Sequence, residues 1–148
     1  MSEREGSYHH GDLRETLVRT SLELISEVGI SGFSVAKVAK RAGVSSGAPY
    51  RHFPHRESLL METGLAFLAR LSAEMRAAAE AAGDDPVDRL ASTAGAYVRY
   101  AIDRFIGVEL FAALKGMEFV DFIEGKREMV RFLFALVQQA RPGARSSN

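Results

Sequence analysis

The sequence predicts an all-α fold. Apolar residues recur at spacings of three and four from Leu13 to Val137, no segment of useful length alternates in the manner of a strand, and glycine, proline, serine and aspartate fall between the periodic runs where helices start and stop. Asp12 with Glu15 makes a capping-box-like start, after which Leu13, Leu17, Ser21, Leu24, Ile25 and Val28 keep helical spacing until Gly29. A short second helix takes Ser34 as its cap, turns Val35, Val38 and Ala39 inward, and ends before Gly43. Ser45 or Ser46 can cap a third helix through Ala48, Pro49, Tyr50, Arg51 and His52 to Phe53, with Pro49 in the first turn where a missing N–H costs little.

Pro54 then interrupts the chain. A long helix follows from about Arg56 to Ala82, with Leu59, Leu60, Thr63, Phe67, Leu71, Met75, Ala78, Ala79 and Ala82 as its buried stripe. Asp85 and Pro86 open the next helix, whose Val87, Leu90, Ala91, Ala94, Tyr97, Val98, Ala101, Ile102 and Phe105 form the cleanest amphipathic pattern in the chain. Beyond Gly107 the pattern shortens to apolar pieces at Leu110–Leu114 and Phe119–Ile123, and a last helix from about Lys126 to Ala140 is apolar around most of its circumference. A terminal helix of that kind must be buried on more than one side. The expected organisation is a head over 11–71, a helical body over 72–141 and a polar, disordered tail over 142–148.

Composition narrows the function classes. With 148 residues, 47% of them apolar, the chain is one ordinary domain or a small module leaning on another. The absence of cysteine removes disulfide scaffolds, thiol catalysis and Cys-ligated zinc. Glu3, Arg4, Glu5 and Asp12 leave no apolar core for a secretory signal, and no apolar run approaches the roughly 20 residues of a bilayer span. A soluble, cytoplasmic protein without a membrane partner is expected.

The 19 basic and 19 acidic residues cancel, which by itself argues against a polyanionic partner. Their positions do not cancel. From Val28 to Arg56 there is no Asp or Glu in 29 residues, while Lys37, Lys40, Arg41, Arg51 and Arg56 supply +5, so the other 119 residues carry −5. This is a basic surface on an acidic body.

The acid-free stretch coincides with a helix-turn-helix pattern at about 34–53. Ala39 and Ala42 permit close helix crossing, Gly43 the turn, and Leu24, Val38 and Val44 a small core, while Ser46, Gly47, Ala48, Tyr50, Arg51 and His52 face outward where they can meet phosphate, sugar or base edges. Together with the lead-in Tyr8-His9-His10-Gly11-Asp12-Leu13-Arg14, the residues Ser34, Val38-Ala39, Ala42-Gly43-Val44-Ser45, Tyr50-Arg51-His52-Phe53, Arg56 and Leu59-Leu60 resemble the DNA-binding domain of the tetracycline-repressor (TetR) family of bacterial regulators. The resemblance covers roughly Asp12 to Leu71.

That resemblance implies a three-helix reading head, a long linking helix, and a body that binds a small-molecule effector and dimerises. It implies DNA-backbone contacts from Ser34, Ser46, Gly47, Tyr50, His52 and Arg56, base-edge contacts or groove lining from Ala48 and Arg51, a place near phosphate for Lys37, and a DNA-binding position for Ser45. Ala48-Pro49 stands where a Thr-Leu pair is commoner, so base reading there is apolar, for instance to a thymine methyl. The expected partners are double-stranded DNA carrying a pseudo-palindromic operator, a small-molecule effector and a second copy of the chain; no cofactor or metal is expected. Phe67, Leu71, Met75, Tyr97, Tyr100, Phe105, Phe111 and Phe119 could line an effector pocket or simply fill the core, with the two tyrosines the better ligand candidates because a buried phenol needs a hydrogen-bond partner.

Rival readings are weaker. Gly43-Val44-Ser45-Ser46-Gly47 matches the G-x-S-x-G nucleophile elbow, which needs a preceding strand that the pattern lacks. His52 and His55 have metal-compatible spacing, but Pro54 lies between them and no acidic partner is near. No phosphate loop or dinucleotide fingerprint occurs, so an enzyme is not expected. The alternative from another class is a helical adaptor that binds protein partners through its terminal helix.

Overall fold

The computed structural model describes residues 10–103, 106–114 and 120–142. All its regular elements are helical: α1 (His10–Gly32), α2 (Val35–Arg41), a 3₁₀ turn (Pro49–Arg51), α3 (Arg56–Ala81), α4 (Pro86–Asp103), α5 (Ile106–Ala113) and α6 (Val120–Ala140). They fall into two compact units, one within Met1–Ala66 and Ile106–Lys115, the other within Phe67–Phe105 and Gly116–Asn148. The first unit therefore takes α5 from between two helices of the second, which sequence order did not suggest. Of the tail expected over 142–148, the residues beyond Pro142 lie outside the described residues.

In the first unit α1 buries Leu17, Leu22, Leu24 and Ile25 along one side. The fully buried Ser21 hydroxyl donates to the Leu17 carbonyl at 2.7 Å, so the helix itself satisfies it. Helical geometry stops at Gly29 as expected, but the break has an unusual form. Gly29 sits at φ 68°, ψ 176°, a region open essentially to glycine alone, and one further turn, Ile30–Gly32, continues on the far side. The Ser34 hydroxyl then caps α2, accepting from the Lys37 amide at 3.3 Å, and Val35, Val38 and Ala39 turn inward. The turn after α2 is a Schellman motif, with Val44 N–H donating to the Ala39 carbonyl at 3.0 Å, Gly43 N–H to Lys40 at 3.2 Å, and Gly43 at φ 72°.

The expected third helix is a correction. Between Ser45 and Phe53 only Pro49–Arg51 forms a regular turn, held by i to i+3 bonds from Tyr50, Arg51 and His52 and one i to i+4 bond from Phe53 to Pro49. Pro49 has no N–H to continue an α-ladder and Gly47 disfavours one, so the segment stays tight and short. Neither serine hydroxyl caps it; Ser45 contributes its carbonyl, which accepts from Ala48 N–H at 3.0 Å. At the start of α3 the Ser58 hydroxyl accepts from His55 N–H at 3.1 Å and returns a bond to the His55 carbonyl at 2.6 Å, half of a capping box.

In the second unit α3 buries Phe67, Leu68, Leu71, Met75 and Ala79, close to the stripe read from sequence. Asp85 caps α4 through Val87 N–H at 2.8 Å and Asp88 N–H at 3.3 Å. The apolar pattern of α4 does not mark a buried face: Thr93 and Ala96 are buried, whereas Val87, Tyr97, Val98 and Ile102 are exposed, Ile102 at 70%. Periodicity identifies an apolar face but not what covers it. α6 is also a correction, since Val120–Ala140 is one helix that passes through Gly125 without ending. A Cβ at Gly125 would stand 2.8 Å from Leu68 Cδ2, so this glycine permits close approach of α6 to α3. Val130, Phe134 and Val137 of α6 are exposed.

Gly29→Ala forces a side chain into the glycine-only region and sets its Cβ 2.9 Å from a Glu109 carboxylate oxygen. Urea unfolding should show a loss of roughly 1–3 kcal/mol. Ser34→Ala, which removes the α2 cap, should cost about 1 kcal/mol in the same measurement.

Candidate nucleic-acid interface

The surface is built on the first unit, from the start of α2, the Ser45–Phe53 segment and the start of α3. Backbone bonds alone do not hold so short a segment. It is anchored from behind by Pro49 and Phe53, both buried, Phe53 at 2% exposure. Arg14 of α1 lies 5.1 Å from the centre of the Phe53 ring and makes a two-pronged pair with Glu62 of α3, at 3.0 and 3.1 Å. One guanidinium thus ties together α1, α3 and the Ser45–Phe53 segment.

With its back buried, the segment shows its other side to solvent. Lys37, Ser45, Ser46, Gly47, Tyr50 and Arg51 are exposed, while Ser34, Ala48, His52 and Arg56 are half-buried around them. Tyr50 is 52% exposed, far more than a phenol with a purely structural role requires. Arg56 stands over the Phe33 ring, 5.4 Å from its centre, a cation–π contact that leaves its N–H donors able to meet phosphate oxygens. The Ser34 hydroxyl uses its acceptor side on Lys37 N–H and can still donate outward.

Two of the five cations also hydrogen-bond to neighbouring groups. The Lys37 ammonium donates to the Gly32 carbonyl at 2.7 Å, which uses one of its three donors and sets its direction. Arg41 makes a two-pronged pair with Glu27 of α1, one bond at 2.6 Å. Hydrogen bonding to that guanidinium holds the Glu27 carboxyl below the usual carboxylate range. Protonation of Glu27 as pH falls through that lowered value removes the pair. Lys37, Lys40 and Arg41 with Leu24 line an open depression of about 350 Å³.

The proposed pocket residues lie elsewhere. Phe67, Leu71 and Met75 are buried in the second unit, Tyr100 packs its ring on Phe67 at 5.0 Å between centres, and Tyr97 is 46% exposed. Phe105, Phe119 and the Phe111 side chain lie outside the described residues. Among the described residues no group of three or more His, Asp or Glu could hold a metal ion, and no helix is long and apolar enough to cross a membrane.

Sequence reasoning missed Glu109. Its carboxylate accepts from the Ile30 N–H at 2.9 Å across a separation of 79 residues. The available signal was an acid inside the otherwise apolar run Ile106–Leu114.

Comparison with known proteins adds an independent line. The family described as "Bacterial regulatory proteins, tetR family" matches residues 17–63. The HTH-type transcriptional regulator BetI of Stenotrophomonas maltophilia is 36% identical over 77 residues, which cover 52% of this chain and 39% of the relative. The chain thus spans about two fifths of that curated relative. A protein of unknown function from Rhodococcus sp. RHA1 is similar in structure over 94% of this chain and 76% of its own, with a TM-score of 0.80 and 30% identity. The TetR family transcriptional regulator PfmR of Thermus thermophilus is similar over 83% of this chain and 69% of its own, with a TM-score of 0.65; at 24% identity this is a likeness of fold.

Glu27→Ala should release Arg41 and remove a negative charge beside α2. Affinity for duplex DNA should rise several-fold at low salt, and the slope of log K against log salt should steepen by up to about 0.9, the share of one added phosphate contact. Fluorescence anisotropy over a salt series measures both, and an unchanged slope would place Arg41 off the DNA-facing surface.

Proposed function

Because the chain belongs to the tetR family of bacterial regulatory proteins, we propose that it is a sequence-specific DNA-binding transcriptional regulator, a homodimeric repressor released from its operator by a small-molecule effector. The observation that carries this reading is the exposed surface formed by a stretch without Asp or Glu, on which Lys37, Tyr50 and Arg51 project from α2 and a turn anchored by the buried Pro49 and Phe53. Two such heads would enter successive major grooves of a pseudo-palindromic site whose half-sites lie about one turn (~34 Å) apart or a multiple of it. Ser34, Lys37, Ser45, Ser46, Gly47, Tyr50, His52 and Arg56 would hold the backbone. Arg51 and Ala48 would face base edges, the first by hydrogen bonds and the second by apolar contact.

The body would supply the control. An effector that binds one spacing of the two heads better than the other shifts the population toward it and lowers DNA affinity by the same coupling energy. Phe67, Leu71, Met75, Tyr97 and Tyr100 remain the proposed lining among the described residues. The exposed apolar residues of α4 and α6 support association with a second copy. The same exposed α6 residues, Val130, Phe134 and Val137, are the one observation that favours the adaptor reading. The adaptor reading predicts indifference to DNA.

Selection of preferred sites from random duplex DNA tests the proposal, and absence of duplex binding at low salt would overturn it. Tyr50→Ala and Arg56→Ala should weaken binding to most sequences alike, and Arg56→Ala should reduce the salt slope by about 0.9. Arg51→Ala should instead alter preference, costing about 1–3 kcal/mol on the best site and less on others. Equal losses on every site would remove Arg51 from base reading.

A further inference from the structure

The turn after the break in α1 is held by a residue far away in sequence. At Gly29 the backbone leaves helical geometry, and one further turn follows it. The Ile30 amide is met by the half-buried Glu109 carboxylate of α5, at 2.9 Å. Approach is close because position 29 carries no side chain: a Cβ there would stand 2.9 Å from the same Glu109 oxygen. Leu110, fully buried, and Leu114, at 2%, anchor α5 in this unit, so the carboxylate is presented from a fixed helix.

Directly beyond this turn the reading surface begins. Gly32, two residues past Ile30, offers the carbonyl that the Lys37 ammonium grips at 2.7 Å. Ser34, next but one after Gly32, is the cap of α2. A continuous path of bonds therefore runs from Glu109 through Ile30 and Gly32 to Lys37 and the first turn of α2. From this geometry we infer that Glu109 is a positioning residue for DNA binding: it touches no DNA, but it pins the Ile30–Gly32 turn and thereby orients Ser34 and Lys37 before DNA arrives. Without that pin the turn must be ordered on binding, and the ordering cost appears as lost affinity.

The inference rests on the DNA-binding reading, and the test separates the two. Affinity for a duplex carrying the site selected by the wild-type protein is measured for Glu109→Gln, Glu109→Asp and Glu109→Ala, at a temperature where circular dichroism shows each to be folded. Gln keeps an acceptor at the same reach and should bind within about threefold of wild type. Asp keeps the charge but falls one methylene short, and should lose roughly tenfold, as for a lost hydrogen bond to a charged group. Ala should lose at least as much, and amide exchange at Ile30 should accelerate in Asp and Ala but not in Gln. A role based only on charge predicts the reverse order, Gln weak and Asp intact, and would overturn the inference. Unchanged affinity in folded Glu109→Asp would overturn it as well, whatever the fate of Glu109→Ala. Failure of the wild type to bind any duplex would instead overturn the DNA-binding reading and this inference with it.

Discussion

The burial of Phe53 is the interaction on which the candidate surface depends. The segment it ends has one 3₁₀ turn, a proline and a glycine, and bonds that close mostly over three residues. Left alone, such a peptide would not hold one conformation. Burying a phenylalanine side chain contributes roughly 1.5–3 kcal/mol, and Pro49 adds a second buried anchor whose φ is already fixed. Arg14 lies over the Phe53 ring and reaches Glu62. An exposed salt bridge contributes little to stability in isolation, but here it orders the cation that covers the ring.

Net charge is a misleading summary of this molecule. The chain is neutral overall, yet a run of 29 residues carries five cations and no acid. The structure refines that count again. Arg41 is paired with Glu27, and Lys37 is directed by the Gly32 carbonyl. The positive field is therefore smaller than the residue count implies and more definite in direction, which favours a fixed register on a duplex over loose adhesion to any polyanion.

The punctuation of the chain was legible because it is local chemistry. Gly29 breaks α1 by its own backbone conformation, while Ser34 caps α2, Gly43 turns the chain, and Asp85 with Pro86 starts α4, these three by bonds within a few residues. Which residues of the Ser45–Phe53 segment face solvent was legible for the same reason, since turn geometry decides it. What failed to show in sequence depends on distant partners. An apolar stripe such as Val87, Val98 and Ile102 looks the same whether covered or exposed. Gly125 looks like a helix stop, and only the Leu68 side chain pressed against it shows that it serves packing. The shortness of the Ser45–Phe53 turn was within reach of local reasoning, because Gly47 and Pro49 both oppose an α-ladder there.

The inclusion of α5 in the N-terminal unit bears on the order in which a ribosome makes this protein. A chain emerging from its first residue presents α1, α2 and the reading segment early, but the helix that completes their scaffold is encoded far downstream, after α4. Until Glu109, Leu110 and Leu114 have been synthesised, the surface of α1 that they cover stays open and the Ile30 amide lacks its carboxylate partner. The N-terminal unit therefore cannot finish folding as a nascent N-terminal piece, and its last step waits on a long-range closure, an intrinsically slow kind of contact to form. A half-made chain would carry the basic residues without the finished frame that aims them.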